Sequence, residues 1–488
     1  MFIGIDLGTS GLKLLLVSKT GKVVKNITKT YPIFYSNGNW SEQHPQDWWN
    51  ATKEGVKELI EGTDKESIKG ISFGGQMHGL VMLDENNAVI RPAILWNDGR
   101  CQTETDYLNN VIGTKILVNY TGNIAFAGFT APKILWIKEH EPKNFEKIKM
   151  ILLPKDYLAY CFTGLFSTDY SDASGTLLLD VENKMWSKEM CQIVGIDESQ
   201  LPKLYESYDV VGTIKEDIAK ELGLPLDVKI IAGAGDNAAA AVGTGTVNNG
   251  SCNVSLGTSG TIFISNDKYI CDSNVPIHSF DHANGKYHLM GCILSAASCN
   301  KWWVEEVLES NHQKEQENLF ELMGKNDVYF LPYLMGERCP HNDTNARAGF
   351  IGMRANTTRK ELTLAVLEGV AFALKECLDI VEKTGINIPS TTLCGGGAKS
   401  TLWANMIANI FDKPVNFVET EQGPGFGAAI LAMVGCKEYE TLEEATNAIV
   451  HIVKTINPNK EIAKNYKAKF EIYKKLYQAL KPIYKNWD

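Results

Sequence analysis

Apolar and polar positions along the chain alternate between two periods. Phe2-Ile3-Gly4-Ile5 and Leu12 to Val17 flank a short Gly/Thr/Ser turn, which reads as strand, turn, strand. Cys252-Asn253-Val254-Ser255 and Thr261-Ile262-Phe263-Ile264 flank a second such turn. Further strands are expected at Ile68 to Phe73, Met150 to Leu153, Val228 to Ala232, Val328 to Leu331 and Thr391 to Cys394. Helical periodicity runs around Trp136-Ile137, from Glu361 to Thr384 and from Thr401 to Phe411. Alternation of this kind predicts α/β layers. In the tail, Ile462, Tyr466, Phe470, Tyr473, Leu476 and Leu480 fall on one helical face, and the lysines between them form a solvated one.

One pentapeptide, L-G-T-S-G, stands at Leu7 to Gly11 and again at Leu256 to Gly260, 249 residues apart in a chain of 488. Length alone, at roughly one domain per 150 residues, suggests about three domains or two large ones. The repeat sharpens this to a duplication, with two similar lobes over 1–245 and 246–488 that each present a glycine turn to a central cleft; the alternative is two unrelated hairpins. Interfaces of that kind are where ligands tend to bind.

Composition narrows the classes. With 44% hydrophobic and 22% charged residues the chain is a globular one. Its 48 Lys and Arg against 58 Asp and Glu give a net charge of -10, which argues against nucleic acid or a membrane surface as a partner. Any phosphate must therefore be held locally. The eleven cysteines never fall as C-x-x-C, so they read as free thiols in a reducing compartment without a structural zinc. The opening M-F-I-G-I-D lacks the pattern of a signal peptide, and no apolar run approaches 18 residues, so a cytoplasmic location is expected.

Neither a P-loop nor a dinucleotide fingerprint is present. Glycine turns with Thr and Ser offer another way to hold phosphate, because their backbone N–H groups and hydroxyls converge. Gly8-Thr9-Ser10 with Lys13 nearby, and Gly257-Thr258-Ser259, could grip a polyphosphate from two sides; each alone is also an ordinary hairpin turn. Asp6, just before the first turn, would repel phosphate unless a cation such as Mg2+ came between them; otherwise it is a buried, hydrogen-bonded strand-end carboxylate. Asp236, in Gly233-Ala-Gly-Asp-Asn237 before a small-residue helix, fits either a general base or a helix cap. His78, in Gly74-Gly-Gln-Met77-His-Gly79, sits at a strand-to-loop edge, and Trp96-Asn-Asp-Gly-Arg100 suits a polyol but also a structural turn. The backbone of Gly395-Gly396-Gly397-Ala398 could lie flat against a ligand, whereas Gly423-Pro-Gly-Phe-Gly427 is equally a tight connection.

Together these residues resemble the FGGY family of carbohydrate kinases, within the actin-like ATPase superfamily, over essentially the whole chain. The family's two signatures are matched by Gly128-Phe-Thr-Ala-Pro-Lys133-Ile-Leu-Trp136-Ile-Lys-Glu-His140 and by Gly349-Phe-Ile-Gly352-Met353 with Glu361-Leu362 and Glu368. Leu153-Pro-Lys-Asp156-Tyr and Gly336-Glu-Arg338 fit as well; Ala234 and Cys339 depart from the common glycine and threonine. The resemblance implies an α/β fold of two duplicated actin-like (ribonuclease H-like) lobes with a central cleft. It implies phosphorylation of a ketose, D-xylulose first, with ATP and Mg2+ as cofactors. Met77, His78 and Asn237 would contact the sugar and Asp236 would act as base. Asp6 would lie at the metal, and the two glycine turns with Gly395 to Ala398 along the nucleotide. The implied partners are the sugar, ATP and a second copy of the chain in a homodimer. Other acceptors, such as D-ribulose, L-xylulose, a deoxy-ketose or another polyol, stay open, as does an idle nucleotide clamp.

Overall fold

The computed structural model describes residues 1–273, 275–420 and 422–485. Two mixed seven-stranded sheets dominate it. In the first, β1 (Phe2–Leu7), β2 (Gly11–Val17) and β3 (Val23–Thr30) form an antiparallel meander, followed in space by β4 (Gly70–Gly75), parallel to β1. An antiparallel edge strand, β5 (Val210–Thr213), pairs with β6 (Lys229–Ile231), and both β6 and β7 (Ala234–Gly235) run parallel to β4.

The second sheet repeats this plan. Its meander is β8 (Cys252–Leu256), β9 (Gly260–Asn266) and β11 (Tyr287–Ile293), with β10 (His278–Asp281) added at the meander's edge. Beyond β8 come β12 (Thr391–Cys394) and β13 (Val415–Val418), both parallel, and then antiparallel β14 (Ile452–Ile456). The order and directions match strand for strand, β3-β2-β1-β4-β6-β5 against β11-β9-β8-β12-β13-β14, apart from the chain position of the last strand. The repeated pentapeptide occupies the same hairpin in both sheets, so the duplication read from five residues holds at the level of topology. Met150–Leu152 is a strand, as expected, but pairs only with Val81–Leu83 outside the main sheets.

Helices cover the sheets. α1 (Pro45–Leu59) buries Trp48, Val56 and Leu59 against one face of the first sheet. α2 (Thr130–His140) packs beside the loop that follows β4. α3 (Asp236–Gly243) and α6 (Pro424–Gly435) cover the other face of the sheet, although α6 comes from the last quarter of the chain. Their small residues explain the closeness. A methyl group at Gly4 would lie 1.9 Å from the Gly425 carbonyl, and one at Gly427 would lie 1.8 Å from that of Ala239. The Gly423–Gly427 motif is thus a backbone-to-backbone packing device. α4 (Arg359–Glu382), α5 (Thr401–Phe411) and α7 (Lys460–Tyr484) enclose the second core. α4 begins two residues before the periodicity suggested because Thr358 and Glu361 form a reciprocal capping pair. In α7 the expected apolar face is buried through Tyr466, Phe470, Tyr473 and Tyr477. Among the described residues no helix is long and apolar enough to cross a membrane.

Candidate active site

Register places the chemistry of the first half. Asp6 and Ala234 both lie opposite Gly74, on either side of β4, so Asp6 and Asp236 leave the ends of strands that flank one central strand. Asp236 is the first residue of α3, where the helix dipole favours negative charge. It does not cap the helix. Its Oδ1 instead accepts from the backbone N–H of Asn237 at 2.8 Å and from that residue's side-chain amide at 2.9 Å. Burial lifts its carboxyl to about 6, against the pull of these two donors. Asp6 is pushed to about 7, by burial first and then by the negative charge of Asp236, with Lys13 opposing. Asp6 and Asp236, on strands either side of β4 with Lys13 beside Asp6, are oxygen donors of the kind that would hold Mg2+.

Behind Asp236 lies a buried ionic network. The Gly235 N–H donates to Ser171 Oγ at 3.1 Å, and Ser171 Oγ donates to Asp169 Oδ2 at 2.5 Å. Lys155 Nζ meets Asp169 at 2.8 Å and Asp156 at 2.6 Å, and these charges hold the ammonium well above its ordinary range despite burial. The backbone just before α3 is thereby tied to this network.

Beside it, β4 runs into the loop bearing Met77 and His78. Met77 is buried against Gly235 and Gly175, whose missing side chains make the room. His78 has φ of +69°, a left-handed conformation that costs a non-glycine residue about 1–2 kcal/mol. Its Nδ1 lies 2.7 Å from the Gly175 carbonyl, which can only accept, so Nδ1 carries the hydrogen and Nε2 is left as an acceptor. Burial, and then the charge of Lys133, keep the imidazole neutral by lowering it to about 3. Phe129 stacks on the ring at 4.7 Å, and Phe280 of the second half stands 6.5 Å away. Rings from both halves therefore pack around His78.

The first glycine turn is tied to the loop that carries His78. Thr9 Oγ1 accepts from Trp96 Nε1 at 2.8 Å and donates to Gln76 at 3.1 Å, so its hydroxyl is committed to Trp96 and to the loop before Met77. Ser10 is exposed. Lys13 pairs with Asp6 in register, and its Nζ reaches the Gln422 carbonyl at 3.5 Å. In the Trp96–Arg100 stretch, Trp96 faces outward, whereas Asp98 and Arg100 are consumed by a bidentate pair at 2.7 and 2.8 Å stacked on Trp40.

The second glycine turn opens on a separate cleft of about 580 Å3 that brings together Thr258, Gly396 and Gly397. Gly395, at φ +87°, lies so close to the end of β8 that a methyl group would stand 2.8 Å from the Leu256 carbonyl. Only glycine permits this approach. Ala398 is buried next to it. Gly257 and Ser259 sit in the turn itself, whose carbonyls at Gly257 and Thr258 accept from the N–H groups of Ala297 and Ala296. Asn300, His312, Gln316 and Ser400 also line this cleft, and sequence reasoning had not singled them out. They are joined by Asn300–His312 and Ser400–Gln316 hydrogen bonds of 3.0 and 2.6 Å. Lys133 and Lys155 were visible only as members of longer matching stretches.

Comparison with known proteins agrees with this architecture. The description of the FGGY family of carbohydrate kinases matches in its N-terminal domain over residues 1–243 and in its C-terminal domain over residues 252–436. A xylulose kinase of Escherichia coli (strain K12) is 39% identical, with 99% of this chain and all of that one covered. A crystal structure described as a xyloylose kinase from Brucella ovis superposes with a TM-score of 0.94 at 38% identity over 99% of both chains. Two structures from Lactobacillus acidophilus, one described as a ligand-bound xylulose kinase and one as gluconate kinase, each reach 0.95 at 27% identity, covering 100% of this chain and 99% of theirs. The chain is an enzyme of the FGGY family of carbohydrate kinases.

Proposed function

We propose that the protein phosphorylates D-xylulose with ATP, giving D-xylulose 5-phosphate and ADP. The region 1–245 supplies the sugar site and the first phosphate turn, and 246–488 the nucleotide site. The observation that carries the reading is the placement of Asp236. Its carboxylate, at about 6, follows Gly235, against which Met77 packs next to the neutral acceptor of His78, and Asp6 leaves the strand on the other side of β4.

Asp236 takes the proton of the terminal hydroxyl as that oxygen attacks the γ-phosphorus in line. A carboxylate poised near 6 is ionised at neutral pH yet basic enough to accept that proton. Asn237 holds Oδ1, which leaves Oδ2 for the hydroxyl. His78 Nε2 accepts from a sugar hydroxyl while Met77 packs the carbon face. The nucleotide runs along Gly395 to Ala398, and the turns Gly8-Thr9-Ser10 and Gly257-Thr258-Ser259 present backbone donors to its phosphates. Asp6 would hold Mg2+, which when bound neutralises charge on the transferring group. Lys13 adds a fixed positive charge beside it.

The Escherichia coli xylulose kinase at 39% identity, with the Lactobacillus acidophilus structure described as a ligand-bound xylulose kinase, favours D-xylulose as acceptor. Gluconate is the second reading, favoured by the Lactobacillus acidophilus structure described as gluconate kinase. An ADP-release assay on both, with D-ribulose and L-xylulose alongside, decides the acceptor. Hydrolysis of ATP that ignores every sugar would instead reveal an idle clamp.

A further inference from the structure

The ammonium of Lys133 is wholly buried in α2, and among the described residues it forms no ion pair. Its Nζ instead donates to two backbone carbonyls, His78 O at 2.8 Å and Gly128 O at 2.7 Å. Thr130 Oγ1 adds a weaker donor to the same His78 carbonyl at 3.2 Å. The two carbonyls belong to two different loops. One loop carries the left-handed His78; the other leads directly into Phe129, the ring stacked on that imidazole.

We infer that Lys133 is a positioning residue that fixes the sugar-facing loop, clamping the His78 backbone and the segment that bears its stacking partner with one amine. The inference rests on the reading of His78 as a sugar contact. A residue serving only to fill space could be a leucine or methionine, because burying an amine away from carboxylates is unfavourable unless its donors are used. Here two of them are used on carbonyls that no other backbone donor of the loop reaches. Gly175 completes the clamp from the far side. A methyl group there would stand 2.5 Å from the His78 ring, so the imidazole is held between a carbonyl, an aromatic face and its own tethered backbone.

The test is Lys133→Met, which keeps the aliphatic stem and removes the donors. The expected result is a KM for D-xylulose raised about tenfold or more, with the KM for ATP within about twofold and kcat at saturating sugar little changed. A rise in both KM values together would overturn the inference, because it would mark a general loss of structure. Amide exchange in the substrate-free protein separates this from any error about the sugar. Gln76 and Leu80 bracket the loop through bonds to Leu7 O and Ile94 O at 2.8 and 3.0 Å. Their exchange should quicken in the variant while that of the 257–260 turn stays the same. Unchanged exchange at Gln76 and Leu80 would refute the clamp even if D-xylulose proves not to be the acceptor. Thr130→Val, which leaves the amine in place, should give the same pattern more weakly and serves if the methionine variant does not fold.

Discussion

Replacing Asp236 with Asn should cripple catalysis and stabilise the substrate-free protein at the same time. The folded carboxyl titrates at about 6 against an ordinary value of 3.8, because burial disfavours the charge. Two pH units at about 1.4 kcal/mol each amount to roughly 3 kcal/mol of stability forgone when the group is ionised. The sign follows from the raised value. Below pH 3.8 the carboxyl is neutral in both states and nothing is lost; stability then falls as pH rises through that range and the loss is complete above 6. The amide that replaces the carboxylate would carry no charge yet still accept from the Asn237 N–H, so the local geometry is kept. Thermal unfolding should therefore shift upward by a few °C at pH 8, and by less at pH 5. In the ADP-release assay the same variant should lose about 10²–10⁴-fold in kcat, the usual worth of a general base. A near-normal kcat would refute the base assignment. A destabilised variant at pH 8 would refute the account of the strained charge.

Further outcomes follow from the same geometry. In the wild type, kcat/KM should fall on the acid side with an apparent pKa near 6 as Asp236 protonates, and a profile flat from pH 5 to 8 would contradict this. Gly395→Ala should raise the KM for ATP about tenfold or more while sparing that for the sugar, because φ of +87° and a carbonyl 2.8 Å away leave no room for the methyl group. Lys155→Met should destabilise the fold by about 3–5 kcal/mol in urea unfolding, since it strands Asp156 and Asp169 in the core without a counter-charge.

Much of the fold was legible because its signals are local. The apolar runs at Phe2–Leu7 and Thr391–Cys394 and the period of Thr401–Phe411 mark elements that form where they are expected, and the repeated pentapeptide gave the duplication. Met150–Leu152 shows the limit: an apolar run identifies a strand but not the sheet it joins. The glycines of 423–427 show another, since a helix that must meet two backbones and a loop that must meet a ligand both call for glycine. At the site, residues beside glycine turns could be proposed from sequence, for the turns themselves are conspicuous. Lys133, Lys155 and Trp96 could not be given roles that way. Their partners His78, Asp169 and Thr9 lie 55, 14 and 87 positions away, and no spacing rule connects them. The Asn300, His312 and Gln316 side of the cleft at the second glycine turn is similarly carried by two helices, Ala297–Lys301 and His312–Gln316, too short to leave a periodic mark.

The acceptor carries the central claim, and kcat/KM for ADP release measured across D-xylulose, D-ribulose, L-xylulose and gluconate tests it most directly. D-xylulose should lead the panel by at least about tenfold, with D-xylulose 5-phosphate as the product and with activity lost in Asp236→Asn. A panel led by gluconate, or ADP release independent of every sugar and of Asp236, would contradict it.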